Sequence, residues 1–428
     1  MATTLTLLLG LFFLLLTMGV PIGISIGSAT ALTMFFTTNF PLVIISQNAF
    51  TALDSFPLLA IPLFILSGSL MTYGGISRRL VALADAMVGF VSGGLAVVTV
   101  VACMFFSALS GSSVATVSAI GSFMIPEMQK KNYDPGFAAA LTASASTLGV
   151  IIPPSISFVV YGVMTGASIA ELFTAGIVPG IILGLALIGV CSLFAAKHNY
   201  PRGKRASRGE IVSALKDSFW ALMVPVIILG GIYGGVFTPT EAAAVAGAYS
   251  LFVGLFIYRE LNRETLHNAF RDTILVNGAV TFMLGISMAF ARFLTMAGIP
   301  RVLTGWVLGL TESAVITLLI VNVVLLIVGL FIDNISATII LVPILLPIVQ
   351  NLGIDVVHFG IIITVGLAIG FVTPPYGPNI FVASAVSGIP IEAIFRKIWM
   401  FCVAMIIVQL FITFVPGISM GLVNLIYR

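Results

Sequence analysis

Long apolar stretches dominate the chain, and short polar segments divide them. Residues 1–53, 86–126, 135–170 and 356–391 contain no Asp, Glu, Lys or Arg. Uncharged apolar runs of 18 or more residues predict membrane-spanning helices. The pattern predicts ten full crossings, at 4–20, 22–38, 57–74, 135–168, 172–196, 218–238, 242–258, 273–296, 357–388 and 398–424.

Two more apolar stretches, 90–127 and 312–350, are too long for one span. The charges on either side of each stretch place both of its ends on the same side of the membrane. We therefore expect both to be re-entrant helical hairpins that enter the bilayer and return.

Charged residues are scarce, with 18 basic and 15 acidic side chains among 428 residues, or 8%. Soluble domains carry about 25%, so the composition predicts an all-α polytopic membrane protein. It argues against a soluble enzyme, a nucleic-acid binder and a secreted disulfide scaffold. The three cysteines form no CxxC pair, and no phosphate-binding GxxxxGK[ST] loop occurs.

Basic residues near span ends favour the cytoplasm. An N-terminus outside the cytoplasm places 15 of the 18 basic residues inside, whereas the opposite orientation would place them outside. We therefore expect an N-terminus on the outer, periplasmic face.

The two halves of the chain resemble each other at an offset of 221 residues. GVIIPPSISF at 149–158 aligns with GFVTPPYGPN at 370–379, and Asp134 aligns with Asp355. Five crossings and one hairpin in each half would turn the second copy upside down, an arrangement typical of secondary transporters. The predicted first repeat, 1–210, contains scaffold spans 1–88, hairpin 90–127, broken span 135–168 and span 172–196, followed by a cytoplasmic link at 197–217. The predicted second repeat, 218–428, contains scaffold spans 218–311, hairpin 312–350, broken span 357–388 and span 398–424.

A Pro-Pro doublet lies within one predicted span of each half, at Pro153-Pro154 and Pro374-Pro375. Proline lacks the backbone N–H and clashes with the preceding turn, so each doublet predicts a broken helix with free carbonyls. The small polar segments 107–113 and 331–338 predict the hairpin tips. Neutral oxygens of this kind suit Na⁺, although helix kinks and small-residue packing would account for the same residues.

Two charged residues occur within or at the end of apolar runs. A carboxylate within the bilayer costs roughly 2.5–3.5 kcal/mol on insertion scales, so Asp333 is a candidate functional residue. Arg292 would either meet an anionic substrate or extend to the interface. We expect His198, His267 and His358 to lie in loops.

The motifs DSFPLLAIPLF, SALSGSSVAT, GVIIPPS, NISATIILVPILLP and GFVTPPYGPN resemble the large membrane (M) subunit of tripartite ATP-independent periplasmic (TRAP) transporters. The overall similarity is greatest to the sialic acid members. The resemblance implies Na⁺-driven symport of a carboxylate across the bacterial inner membrane by an elevator mechanism. It also implies a periplasmic substrate-binding protein and a small four-helix membrane (Q) subunit as partners.

The family's ion-site pattern implies two sodium sites in this chain. The first would comprise Ser107, Ser110, Gly149, Ile152 and Pro154, and the second Gly329, Asn334, Gly370, Thr373 and Tyr376. The substrate would lie between the tips, near Ser112, Ser155, Arg292 and Asp333.

Other functions fit parts of the pattern. They are a TRAP subunit for a C4-dicarboxylate, a stand-alone Na⁺/dicarboxylate or citrate carrier, and a passive channel. An intramembrane hydrolase using a serine of SGSS would need a general base within the membrane, which the expected loop positions of the histidines do not supply. We therefore expect a transporter and not an enzyme.

Overall fold

A computed structural model describes residues 2–198, 200, 203, 205–299, 302, 305, 309 and 313–428. Its regular elements are helical. The α-helices are α1 Ala2–Thr17, α2 Ile22–Thr37, α3 Val43–Leu53, α4 Ala60–Tyr73, α5 Ile76–Val88, α6 Gly94–Ser110, α7 Ser113–Lys130, α8 Pro135–Ala145, α9 Ile156–Thr165, α10 Ile169–His198, α11 Arg208–Tyr233, α12 Pro239–Phe252, α13 Arg263–Met296, α14 Ala314–Phe331, α15 Asn334–Asn351, α16 Val356–Gly370, α17 Pro378–Ser387, α18 Ile391–Phe414 and α19 Gly417–Tyr427.

Short helical turns complete several of these elements. A 3₁₀ turn, Phe56–Leu59, precedes α4, and another, Ser146–Val150, extends α8. A π-helical turn, Val253–Ile257, follows α12.

Eight helical segments in the described part of the chain are long and apolar enough to cross a membrane. The longest, α13, has 34 residues and extends about 51 Å, well beyond a hydrocarbon core of about 30 Å. The arms α14 and α15 of the second hairpin, with 18 residues each, are also among the eight. The chain is a multi-pass membrane protein.

Local sequence explains several helix starts. Asp134 caps α8 and accepts the Phe137 amide at 2.8 Å, with Pro135 at the first helical position. Asp355, which is 221 residues later, caps α16 and accepts the Val357 amide at 2.7 Å. The two aligned aspartates are therefore both N-caps, one in each half of the chain.

We divide the helices into two groups, which also pack against each other, chiefly through α5 and α6. In the first, which we call the scaffold group, α13 packs against α2, α3 and α4, while α11 packs against α5 and α12. The second, the hairpin group, contains α6–α10 and α14–α19. In it α7 packs against α17, α8 against α18 and α9 against α15, so elements from the two halves of the chain interlock.

The helices differ from the predicted spans in three places. A capping box formed by Ser207 and Glu210 starts α11 at Arg208, so the second half of the predicted link 197–217 is helical. The corresponding box at Asn262 starts α13 ten residues before the predicted span 273–296. The last predicted span ends at Phe414, and α19 follows as a separate helix.

The prediction that the histidines lie in loops is wrong. His198 ends α10, His267 lies in α13, and His358 is buried in α16. The predicted boundary between the scaffold spans and the second hairpin, at residues 311 and 312, lies outside the described residues.

Candidate functional site

The first hairpin turns at its predicted small polar segment. Helix α6 ends at Ser110, Gly111 adopts a left-handed conformation with φ of 60°, and Ser112 caps α7. The Thr116 hydroxyl donates to the Ser112 carbonyl at 2.8 Å and lies 3.1 Å from the Ser110 hydroxyl. The tip is therefore a compact cluster of uncharged oxygen atoms.

The first Pro-Pro break packs directly onto this tip. Helical structure stops at Val150 and resumes at Ile156, as the doublet predicts. The Ile156 amide donates to the Gly111 carbonyl at 3.4 Å. A Cβ at Gly149 would lie 2.5 Å from the Ser112 carbonyl oxygen, and one at Gly111 would lie 2.9 Å from the Pro154 oxygen. Glycine at both positions lets the two backbones touch.

The structure therefore brings Ser110, Gly149 and Pro154 together. Ser107 lies one turn back on α6, where its hydroxyl donates to the Cys103 carbonyl at 2.5 Å. The Ile152 side chain packs toward Gly180 of α10, so this residue offers the site its backbone carbonyl only.

The second hairpin has a corresponding turn. Helix α14 ends at Phe331, Ile332 is extended, and the Asp333 carboxylate caps α15 by accepting the Ser336 amide at 3.0 Å and the Ser336 hydroxyl. The Asn334 amide nitrogen donates to the Thr364 carbonyl of α16 at 3.1 Å. The carboxylate thus holds the hairpin turn and its first helical turn together.

The second break also touches its hairpin. A Cβ at Gly370 would lie 2.5 Å from the Gly329 Cα, so α14 and α16 meet backbone to backbone. The Thr373 hydroxyl donates to the Ile369 carbonyl at 2.8 Å and lies 4.0 Å from the Cys402 sulfur. Tyr376 is 54% exposed and lies against Phe331 with 5.1 Å between ring centroids.

Buried oxygen atoms near these elements have no hydrogen-bond partner among the described residues. They are Asn334 Oδ1, Thr338 Oγ1, Thr364 Oγ1 and Asn379 Oδ1. Leaving such a group unsatisfied costs about 1–3 kcal/mol. Uncharged oxygens of this type fit a desolvated hard cation such as Na⁺ or buried water.

Asn379 joins the two halves, and the sequence reasoning missed it. Its fully buried amide nitrogen donates to the Ser113 hydroxyl at the first tip and lies 3.0 Å from the Ser146 hydroxyl and 3.4 Å from the Ala143 carbonyl. Ala143 aligns with Thr364 at the offset of 221, and each carbonyl receives an asparagine amide. In the sequence, this role was indicated by the position of Asn379 as the polar residue that ends the second Pro-Pro motif, GFVTPPYGPN.

A second buried polar cluster lies farther from the tips. The Gln409 amide nitrogen donates to Asn322 Oδ1 at 2.7 Å, and the Asn322 amide nitrogen donates to the Thr413 hydroxyl at 3.2 Å. One His358 ring nitrogen lies 2.7 Å from the Ser419 hydroxyl. These contacts join α14, α16, α18 and α19.

The residues predicted for the substrate divide between two places. Ser112, Ser155 and Asp333 lie at the tips and breaks, where each caps a helix. Arg292 is exposed and lines a separate cavity beside Val342 and other residues of α15.

Comparison with known proteins supports a transporter. The profile of the family described as the DctM component of tripartite ATP-independent periplasmic transporters matches residues 9–418. The chain is 46% identical over 418 residues to the isethionate TRAP transporter permease protein DctMQ of Oleidesulfovibrio alaskensis. This alignment covers 97% of this chain and 66% of that protein. It is 43% identical to the C4-dicarboxylate TRAP transporter large permease protein DctM of Pseudomonas aeruginosa, with 94% of each chain covered.

More distant relatives agree. The sialic acid TRAP transporter large permease protein SiaM of Vibrio cholerae is 34% identical, with 97% of each chain covered. The crystal structure of the Alcanivorax borkumensis YdaH transporter matches with a TM-score of 0.62 over 91% of this chain and 90% of that one, at 15% identity, and thus shares the fold. The relatives are named as transporter permeases, not as enzymes. The chain therefore belongs to the DctM component family of tripartite ATP-independent periplasmic transporters.

Proposed function

We propose that this chain is the transport subunit of a Na⁺-coupled symporter that takes up an organic acid across the bacterial inner membrane. A periplasmic binding protein delivers the substrate, and a small membrane (Q) subunit supports the chain. The N-terminus lies on the periplasmic side. Family membership supports the transporter and its tripartite assembly, and the geometry of the tips supports the coupling ion.

The observation that carries sodium coupling is the repeated contact between hairpin and broken helix. In both halves a glycine lets a helix break touch its hairpin, at Gly149 against Ser112 and at Gly370 against Gly329. Each contact gathers carbonyl and hydroxyl oxygens, and the Asp333 carboxylate lies at the second tip. Na⁺ bound there would add to the backbone packing and to the hydrogen bonds that Ile156 donates to Gly111 and Asn334 donates to Thr364, so binding would favour a closed tip.

Alternating access would follow from movement of the hairpin group against the scaffold group. Three scaffold helices, α4, α5 and α13, make most of the contacts with the hairpin group. Their partners there are α6, α7, α9 and α15. An inverted relation between the halves would give the hairpin group equivalent inward and outward positions.

The substrate is an organic anion, and three candidates follow from the relatives. The relatives named for isethionate and C4-dicarboxylate transport are more similar to this chain than the one named for sialic acid. We therefore place isethionate and C4-dicarboxylates ahead of sialic acid, and the expectation that the overall similarity is greatest to the sialic acid members is not supported.

The test is uptake into proteoliposomes that contain this chain and the Q subunit, with the binding protein and each candidate substrate supplied outside. We expect uptake of one candidate to require an inward Na⁺ gradient. Uptake indifferent to Na⁺ would indicate a channel or another coupling ion. Uptake without either partner would favour a stand-alone carrier.

Thr373→Ala tests the second site in the same assay. Removing an oxygen at the break should raise the Na⁺ concentration for half-maximal uptake. The matched control is Thr37→Ala, which removes a comparable hydroxyl bond of 2.7 Å to a carbonyl four residues earlier, but in scaffold helix α2. A Thr373→Ala protein that titrates like the control would remove Thr373 from the site.

A further inference from the structure

Residues of both the scaffold group and the hairpin group line a cavity of about 900 Å³. Asn48 and Thr51 of α3 and Arg292 of α13 line its scaffold side. Met164 of α9 and Leu346 of α15 line the opposite side. The cavity therefore lies between the two groups whose relative movement would carry the substrate.

The cavity is well removed from the tips. Helix α9 starts after Ser155 at the first break and reaches the cavity nine residues later at Met164. Helix α15 starts after Asp333 at the second tip and reaches it nine residues later at Val342. At 1.5 Å per residue, both helices place the cavity about 13 Å beyond the tips.

Helix α13 gives the same separation independently. The Ser336 hydroxyl lies 3.5 Å from the Met283 sulfur, which fixes α13 against the second tip. Arg292 lies nine residues after Met283, again about 13 Å along the helix. The predicted orientation places this end of α13 on the periplasmic side.

The lining has the chemistry of an anion site. Among the described residues that line the cavity, Arg292 is the only charged one. Its guanidinium has no ion pair or hydrogen bond with the described residues. Asn48, Thr51 and Thr295 add neutral polar groups, and the remaining lining residues are apolar, half of them methionine or proline. A guanidinium presents a planar set of donors that matches a carboxylate or sulfonate group.

We propose that this cavity is an outer docking site, where Arg292 binds the acid group of the substrate before the substrate reaches the tips. The ligand is a singly charged oxyanion group, carboxylate or sulfonate, carried on a small organic molecule. This inference rests on the proposed function, and it separates Arg292 from the substrate residues at the tips. The docking site increases capture and takes no part in Na⁺ binding.

The test compares Arg292→Gln with Arg271→Gln in the proteoliposome assay. The probe is whichever of isethionate, succinate and N-acetylneuraminate the wild-type transporter takes up best. Both arginines are exposed on α13, but Arg271 lies outside the cavity. We expect Arg292→Gln to raise the substrate KM about tenfold or more, as the loss of a charge-assisted hydrogen bond would. Arg292→Lys should restore part of the affinity, because it keeps the charge without the planar donors.

The sodium titration distinguishes loss of the docking site from damage to the sodium sites. The Na⁺ concentration for half-maximal uptake should be unchanged in Arg292→Gln. An unchanged KM would overturn the docking site, as would a reduced maximal rate or a shifted Na⁺ titration at unchanged KM. A wild-type protein that transports none of the probes would instead count against the proposed function.

A second variant leaves Arg292 in place. Thr51→Glu adds an anionic group to the scaffold side of the cavity, which also carries Arg292, and should also raise the KM, whereas Thr51→Gln should not. Equal KM values for these two variants would contradict an anion site here.

Discussion

Gly149→Ala offers a sharp test of the first tip. The backbone of Gly149 does not have a positive φ, so alanine is acceptable to the chain itself. The obstacle is the neighbouring tip, because the new Cβ would lie 2.5 Å from the Ser112 oxygen and 2.7 Å from the Thr116 hydroxyl oxygen. Ordinary contact begins near 3.4 Å, so the tip must retreat by about 0.9 Å to reach an ordinary packing distance.

The expected size of the effect follows from this displacement. Overpacking of this kind costs about 1–3 kcal/mol, and each 1.4 kcal/mol corresponds to about a tenfold change in affinity. If the closed tip binds Na⁺, the half-saturating Na⁺ concentration should rise about tenfold. The substrate KM at saturating Na⁺ should change much less.

Gly189→Ala is the matched control. Gly189 lies inside α10, and a Cβ there would meet nothing within 4 Å. Alanine should therefore leave the Na⁺ titration unchanged and stabilise the helix slightly, by about 0.5–1 kcal/mol. A Gly149→Ala protein that inserts normally and keeps the wild-type Na⁺ titration would refute the assignment of sodium to this tip.

Two more predictions concern contacts between distant parts of the chain. Asn379→Leu leaves the Ser113 and Ser146 hydroxyls without their amide partner and should raise the half-saturating Na⁺ concentration, whereas Asn322→Leu, an equally buried change, should lower only the thermal stability. At the end of the chain, Arg428 pairs with Asp355 at 3.0 Å and with Glu171 at 3.3 Å. Partial burial alone would raise the pKa of Asp355, but hydrogen bonds from Arg428 and two backbone amides hold this pKa below its ordinary value. Their contribution to stability is complete above about pH 4 and is lost as the pH falls through the lowered pKa. Arg428→Gln should therefore weaken the acid dependence of unfolding of the purified protein, and an identical pH profile would contradict the pairing.

The sequence predicted the elements whose local chemistry is distinctive. Proline doublets mark both helix breaks because proline has no amide hydrogen to donate within a helix and its ring clashes with the preceding turn. Small polar segments mark both hairpin turns, where Ser112 and Asp333 cap the following helices. The aligned aspartates at 134 and 355 cap helices in both halves, which agrees with the proposed repeat.

Tertiary contacts explain what the sequence did not predict. Helices α3 and α5 lie between the predicted spans. Helix α3 is within the uncharged run 1–53, but with 11 residues it is too short to span a membrane. Helix α5 is amphipathic, with Arg78 and Arg79 near its start, so it does not appear as an apolar run. His358 is predicted to lie in a loop, yet hydrogen bonds to Ser419 and the Thr413 carbonyl satisfy its ring in the interior.

The distance between Arg292 and the tips could not be predicted from the sequence. Sequence position placed Arg292 at the end of an apolar run but did not show which part of the hairpin group faces it. The packing of α13 along α15 determines that distance.

The central claim is that two tip-and-break contacts form sodium sites. The most direct measurement is equilibrium binding of radioactive sodium to the purified chain with its Q subunit. We predict saturable binding that is weakened by Gly149→Ala and by Gly370→Ala separately and lost when both changes are combined. Absence of saturable binding in the wild type, or binding that neither substitution alters, would contradict the claim.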